Sequence, residues 1–391
     1  MWGSVTGLPP RLLTATMALT CLRRRWETGP GCGTRSHRLL SQSCLEPRTT
    51  NIVEKSVSLH NRPWQRYFLG SAKMANTVVH LLQAGPPGAG PHVLECNPGP
   101  GILTCALLNA GLRVVALESD LTFLPYLTTL KKHPGRQLEV IYCNFFHRDP
   151  SKTTPPPPPP VMLTETLFKK LEIRQVPWVA DVPVKIVGFF PTKYERKALW
   201  KLIHDLYSCS SIYNYGRIEL NMFISEKEYK KIISKPGQKY YRPLSVLWQT
   251  ACEIKLLHME PLSSFVTFRN GKLTSLECKE YESKNLCFIR LTPRRNLFTN
   301  NFTPTNSSNF IFLVKLCLNK SKTKLIDTFS SWCISDTEDL LQELKKQQHE
   351  TIGSLYPKEF KYLFEALERS ETFTQKWLYD HFLQSTDPEN L

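Results

Sequence analysis

Apolar runs of strand length alternate with stretches of helical periodicity through much of the chain. Residues 92–96, 113–118, 138–142, 184–190 and 217–224 are nearly continuous apolar runs, the pattern of strands buried on both faces of a sheet. Between them, 102–110, 122–131 and 194–207 carry apolar side chains at helical spacing. In the last of these Ala198, Leu199, Leu202, Ile203 and Leu206 mark one face. Such alternation predicts an α/β domain, a mostly parallel sheet with helices on both faces. Ser225, followed three residues later by Glu228, is a capping box that opens another short helix. Beyond residue 298 the pattern is helical only, at 310–318, 337–348, 357–369 and 372–383. Six consecutive prolines at 155–160 cannot donate ladder hydrogen bonds, so 151–162 forms a stiff polyproline II loop between the third and fourth strands. The expected layout is a leader over 1–48, an α/β domain over 49–297 and a helical C-terminal domain over 298–391.

The leader holds Arg11, Arg23, Arg24, Arg25, Arg35 and Arg38, with Glu27 as its only acid before Glu46. An Arg-rich, acid-poor segment is the pattern of an organellar transit peptide and predicts the mitochondrial matrix. A secretory signal fits worse, because the apolar stretch 12–22 is interrupted by Thr14, Thr16 and Thr20 and runs into three arginines. The mean hydropathy is −0.28. No apolar run approaches the roughly 20 residues of a membrane-spanning helix, so no membrane partner is expected. The twelve cysteines include no Cys-x-x-Cys pair, and neither a structural disulfide nor a metal site is expected.

Charge changes the picture more than size does. The chain carries 50 Lys+Arg against 34 Asp+Glu, a net of +16. Residues 193–335 hold 23 basic and 11 acidic groups, a net of +12, whereas 336–391 hold 6 and 12, a net of −6. A basic stretch of that size points to a polyanion, and nucleic acid is the commonest one. Lys320, Lys322 and Lys324, in a loop between two predicted helices, suit phosphate contacts. Arg294 and Arg295, with Lys227, Lys230, Lys231, Lys235 and Lys239, broaden the basic face, and Tyr229, Tyr240 and Tyr241 are available to stack on unpaired bases. The acidic end, with Asp336, Glu338, Asp339, Glu365, Glu368 and Glu371, is expected to face protein or to act as an autoinhibitory surface.

The strongest local signal is VLECNPGPGILT at 93–104, a strand running into a glycine-rich turn and then a helix. Gly99 and Gly101 let the backbone turn tightly and approach a ligand, and Glu95 ends the strand where a ligand's polar groups gather. Glu118 closes the second strand about twenty residues on, where a carboxylate accepts hydrogen bonds from both hydroxyls of a ribose. A dinucleotide enzyme would carry a third glycine where this chain has Thr104.

These residues, with the strand end CNFF at 143–146, resemble the S-adenosylmethionine-dependent rRNA adenine dimethyltransferases. The wider chain, in YSCSSIY at 207–213, RRNLFTNNFTP at 294–304 and KWLYD near the end, is similar to the mitochondrial transcription factor B branch of that family. The resemblance implies a Rossmann-like methyltransferase domain with a seven-stranded, mostly parallel sheet, a small all-helical C-terminal domain, and S-adenosylmethionine as cofactor. By position it implies Phe68, Glu95, Asn97, Gly99 and Gly101 around the methionine moiety, Glu118 at the ribose and Asn144 near the adenine. Asn97 stands where the family has glycine. Asn144 replaces an aspartate, and the lost charge assistance costs about 1 kcal/mol of binding.

Family members end the fourth strand with Asn-Leu/Ile-Pro-Tyr. There the asparagine side chain and a backbone carbonyl accept from the target amine, while the tyrosine stacks on a flipped adenine. This chain has Gly188, Phe189, Phe190, Pro191, Thr192 in that place. Phe189 accepts no hydrogen bond, Thr192 offers no aromatic face, and a turn of Phe190 toward the base would soften the second loss. The resemblance therefore implies a scaffold with weak or residual transferase activity. It also implies a role in mitochondrial transcription initiation, with the mitochondrial RNA polymerase and promoter DNA carrying its HMG-box packaging factor as partners in the nucleoid. The other implied role is dimethylation of adjacent adenines in mitochondrial small-subunit rRNA.

Overall fold

The computed structural model describes residues 66–82, 92–132, 137–149, 160–269, 272–276, 284–332 and 337–369. The leader, the prolines at 155–159 and the helix expected over 372–383 lie outside the described residues.

The chain enters through a two-residue strand, β1 (Phe68–Leu69), and helix α1 (Ala72–Leu82). Three strand–helix units follow: β2 (His92–Cys96) with α2 (Ile102–Asn109), β3 (Val114–Glu118) with α3 (Leu124–Lys131), and β4 (Leu138–Tyr142) with α4 (Thr164–Lys170). Then come β5 (Val184–Phe189), α5 (Glu195–Tyr207), β6 (Glu219–Ser225), α6 (Glu226–Ile232) and α7 (Pro243–Ala251). Four strands complete the α/β part: β7 (Cys252–Pro261), β8 (Phe265–Arg269), β9 (Lys272–Ser275) and β10 (Asn285–Pro293). Each of the five expected strands forms within two residues of its predicted ends.

The main sheet has seven strands in the order β4-β3-β2-β5-β6-β10-β7. Strands β4 to β6 run parallel, and β10 pairs antiparallel with both β6 and β7. Apolar side chains cover both faces of the parallel strands: all five residues of β3 are buried, and four of five in β2. Winding outward from β2 to β4 and then back to β5 puts a topological switch point between β2 and β5. Ligands of open α/β sheets bind in the crevice outside such strand ends. Cys96 and Gly188 are register partners there, so the glycine turn after β2 and the Phe189–Thr192 segment after β5 open side by side.

A small antiparallel sheet, β1-β8-β9, stands beside this edge. Its Phe265 meets Phe189 and Phe223, and its Phe68 and Phe268 close on Phe123 with ring centroids 5.4 and 4.9 Å apart. That packing holds β1 over the glycine turn.

Past residue 298 the described chain is helical: α8 (Ser307–Asn319), α9 (Leu325–Ser331), α10 (Thr337–Glu343) and α11 (Pro357–Arg369). The helix expected over 337–348 stops at Glu343, because Lys345 adopts a left-handed φ of 53°. These helices share a core with the sheet. Phe302, Phe310 and Phe364 form a mutual aromatic cluster that Tyr207 of α5 joins, with Phe302–Phe310 at 4.9 Å and Tyr207–Phe310 at 5.6 Å. The capping box at Ser225 is half made. Ser225 accepts from the Glu228 amide, but its own amide donates to Glu195 of α5 rather than to Glu228, which holds Lys231 instead. Among the described residues seven cysteines are free thiols and no helix is long and apolar enough to cross a membrane.

Candidate functional site

The glycine turn departs from ordinary backbone at three positions. Asn97, Gly99 and Gly101 have φ of 54°, 61° and 84°. Asparagine is among the few side-chain-bearing residues that take the left-handed region routinely, which explains how Asn97 stands in for glycine. Its amide donates to the Leu117 carbonyl at 2.8 Å, tying the turn to the end of β3. With Phe68 in place Gly99 has no room for a side chain: a Cβ there would lie 2.0 Å from the Phe68 ring. The expected cofactor residues Phe68, Glu95, Asn97, Gly99, Gly101 and Glu118 are thus drawn to one strand-end crevice.

Glu118 is fully buried and its carboxylate is saturated. It accepts from the backbone amides of Gly99, Ser119 and Asp120 at 2.7–2.8 Å, and from both Nη1 and Nη2 of Arg66 at 2.8 and 2.9 Å. Arg66 also donates to the Asn97 carbonyl, and its guanidinium lies 5.2 and 5.3 Å from the ring centroids of Phe68 and Phe123. The two oxygens expected to receive a ribose are therefore held by a fork from the same chain. Arg66 falls outside the residues that sequence motifs bring to the site; its one signal is its place two residues before Phe68 in WQRYFLG.

Glu95 lies behind the turn, 2% exposed, and receives the Thr104 hydroxyl at 2.6 Å. Burial pushes its carboxyl up to about 8, against the pull of the Thr104 hydrogen bond and with a further rise from the charge of Glu118. Between Phe68, Glu95, Asn97, Gly188 and Phe189 remains a cavity of about 10 Å³, room for a single water.

Asn144 stands at the end of β4, and its side-chain oxygen accepts from the Phe146 amide at 3.1 Å, opening a tight turn. The loop it begins is anchored by Asp149, which accepts from Thr164 and from Ser211, so the loop after CNFF meets the YSCSSIY segment. Beneath it the buried Arg148 guanidinium lies 3.8 Å from the Phe145 ring centroid.

The Phe189–Thr192 segment has little to offer an amine. The Phe189 ring stacks on Phe223 at 4.7 Å and 17°, with Phe265 against its edge. Phe190 corrects an expectation: it does not turn toward a base, because it is 2% exposed in the core, beside Phe146, with its amide on the Phe223 carbonyl at 2.9 Å. An exposed ring nearby in sequence is Tyr194, two residues past Thr192.

The basic residues divide into two places. Lys320, Lys322 and Lys324 are exposed on the turn between α8 and α9, without an ion pair among the described residues. That turn is clasped by the 351–355 segment through Ile352 to Thr323 and Gly353 to Ser321, both 2.9 Å. The same segment receives the Tyr241 hydroxyl at the Leu355 carbonyl, 2.6 Å. Lys235, Lys239 and Tyr240 sit just before Tyr241 and line an open hollow of about 550 Å³. Arg294 and Arg295 lie elsewhere. They follow β10, whose antiparallel course brings Arg294 to the end of α7 at Ala251, one helix length from Tyr241, and Arg295 is paired with Asp181. Of the acidic set, Glu365 and Glu368 accept from Thr299 and Asn306 and brace the loop into α8; Asp336 and Glu371 lie outside the described residues.

Comparison with known proteins agrees with this geometry. The ribosomal RNA adenine dimethylase family model matches residues 57–368. The chain is 44% identical over 398 residues to "Dimethyladenosine transferase 2, mitochondrial" of Homo sapiens, covering 98% of this chain and all of that one. It is 40% identical over 397 residues to the protein of that name from Mus musculus, covering 97% and 98%. Among solved structures, a dimethyladenosine transferase from Plasmodium falciparum superposes with a TM-score of 0.50 at 15% identity, over 77% of this chain and 96% of that one, and shares the fold. The crevice at the β2–β5 switch point, with its glycine turn and paired glutamates, lies where open α/β sheets bind their ligands. The chain belongs to the ribosomal RNA adenine dimethylase family.

Proposed function

We propose that this protein is a mitochondrial transcription initiation factor, which works with the mitochondrial RNA polymerase to melt promoter DNA on a dimethyltransferase scaffold of residual activity. One observation carries the reading: the half-buried Phe189 is stacked on Phe223 and Phe190 is buried in the core, so the strand end lacks the side-chain acceptor and the stacking ring that adenine transfer needs. The exposed lysines at 320, 322 and 324, together with Lys235, Lys239 and Tyr240, support a nucleic-acid surface kept while that chemistry eroded. The Arg-rich leader and the mitochondrial names of the relatives support the organelle; the matrix nucleoid, with promoter DNA and its HMG-box packaging factor, is the place of action.

The test is run-off transcription from a mitochondrial promoter with purified polymerase, comparing this chain with its Glu118→Gln variant. Equal initiation by both is expected. Failure of both overturns the reading.

A second reading, dimethylation of adjacent adenines in mitochondrial small-subunit rRNA, is favoured by the retained Glu95, Gly99, Gly101 and Glu118 and by the relatives' names. S-adenosylmethionine, when bound, supplies an electrophilic methyl group. Glu118 would take its ribose, Glu95 and the 97–101 turn its amino-acid end, and Asn144 its adenine amine. These donors and acceptors fit it in kind, although Arg66 and Phe68 stand in the room it needs.

Replacing Lys320, Lys322 and Lys324 with Ala is expected to weaken DNA binding. The slope of log affinity against log salt should flatten by about one for each phosphate no longer engaged. An unchanged slope removes this turn from the interface.

A further inference from the structure

We propose that Arg66 is a specificity-determining latch on the cofactor site: its guanidinium holds the places on Glu118 that the two ribose hydroxyls would take, and nucleoside binds only when Arg66 leaves. The inference holds for either functional reading, since it concerns cofactor binding alone.

A carboxylate has about four lone-pair sites, and Glu118 already accepts five N–H bonds. Three come from backbone amides fixed by the turn after β2 and by the end of β3, and these do not exchange. Only the Arg66 fork can make way for another donor. A bidentate guanidinium–carboxylate pair, with Glu118 fully buried, is a stronger partner than the neutral hydroxyls of a ribose. The guanidinium is held besides by the Asn97 carbonyl and by the rings of Phe68 and Phe123.

Space gives the same result independently. The Phe68 ring lies on Gly99, at the point where a glycine turn admits a ligand closely, and the cavity left beside it is about 10 Å³. Ligand pockets run to roughly 300–1,000 Å³. Arg66 and Phe68 are neighbours on one short segment, whose strand pairing among the described residues is that of Phe68 and Leu69 with β8, so one displacement would free both the acceptor and the room. If Arg66 departs, Glu118 keeps its three backbone donors, a set that by itself satisfies an ionised carboxylate.

The test is calorimetric binding to the full chain, with S-adenosylhomocysteine, adenosine and methionine as separate probes. Arg66→Ala is expected to tighten S-adenosylhomocysteine and adenosine by about tenfold, and methionine, which makes no use of Glu118, by less. Arg66→Gln, which keeps hydrogen bonding without the charged fork, should fall between, and it serves if the alanine variant does not fold. In a Glu118→Gln background the gain from Arg66→Ala should vanish, since the latch acts through that carboxylate. Unchanged or weaker adenosine binding in both Arg66 variants overturns the proposal, as does a gain that persists with Glu118→Gln. Transcription assays do not enter, so failure here is distinct from failure of the initiation reading.

Discussion

Purified protein given S-adenosylmethionine and a small-subunit rRNA hairpin with adjacent adenines is expected to methylate about 10² to 10³ times more slowly than a relative ending this strand in Asn-Leu-Pro-Tyr. Removing one positioned hydrogen-bond partner from a reacting centre costs that much by analogy with oxyanion-hole deletions. Loss of a stacking ring adds ~1–3 kcal/mol against binding the flipped base. The geometry closes the escape routes. Phe189 is clamped between Phe223 and Phe265, and Phe190 is sealed in the core with its amide on β6. Restoring asparagine alone would not repair the site. Phe189→Asn would exchange a ring in a stacked aromatic set for an amide beside Phe223, which is expected to cost about 1–3 kcal/mol of stability. Single-turnover methylation, compared with an Asn-Leu-Pro-Tyr relative on the same hairpin, measures the deficit. Rates within a few-fold of each other would show that another acceptor holds the amine, and the dimethyltransferase reading would then lead.

The parallel half of the sheet is legible in the sequence because strands buried on both faces are continuous apolar runs, and because a glycine turn is a local signal. Edge strand β7 is not. One face is wet, so Glu253, Lys255 and Glu260 break its apolar run. Strand β10 does carry a readable run, Leu286 to Ile289, outside the five expected strands. Within the site, the limits have a single physical origin: contacts set by tertiary register leave no spacing in the sequence. Arg66 reaches Glu118 across 52 residues, and Phe190 is turned inward by the pairing of β5 with β6. Arg294 and Lys320 read as one basic face, yet the antiparallel course of β10 sends Arg294 to the far end of α7.

Glu95→Gln is expected to change how stability depends on pH. The folded state holds the Glu95 carboxyl near 8, above the 4.5 of an ordinary glutamate, because the buried charge is desolvated beside Glu118. Between those values the folded chain keeps a proton that the unfolded chain has released. Stability therefore falls as pH rises through this window, and the loss is complete once pH passes the folded value. From pH 5 to pH 8 the wild type should lose about 3 kcal/mol relative to Glu95→Gln, which cannot titrate. Glu195, raised to about 7 by burial despite the hydrogen bonds it receives from Ser225, titrates in the same range but is present in both proteins, so its contribution cancels in the comparison. Urea unfolding midpoints at several pH values give the difference directly, and parallel curves would show Glu95 ionised in the folded chain.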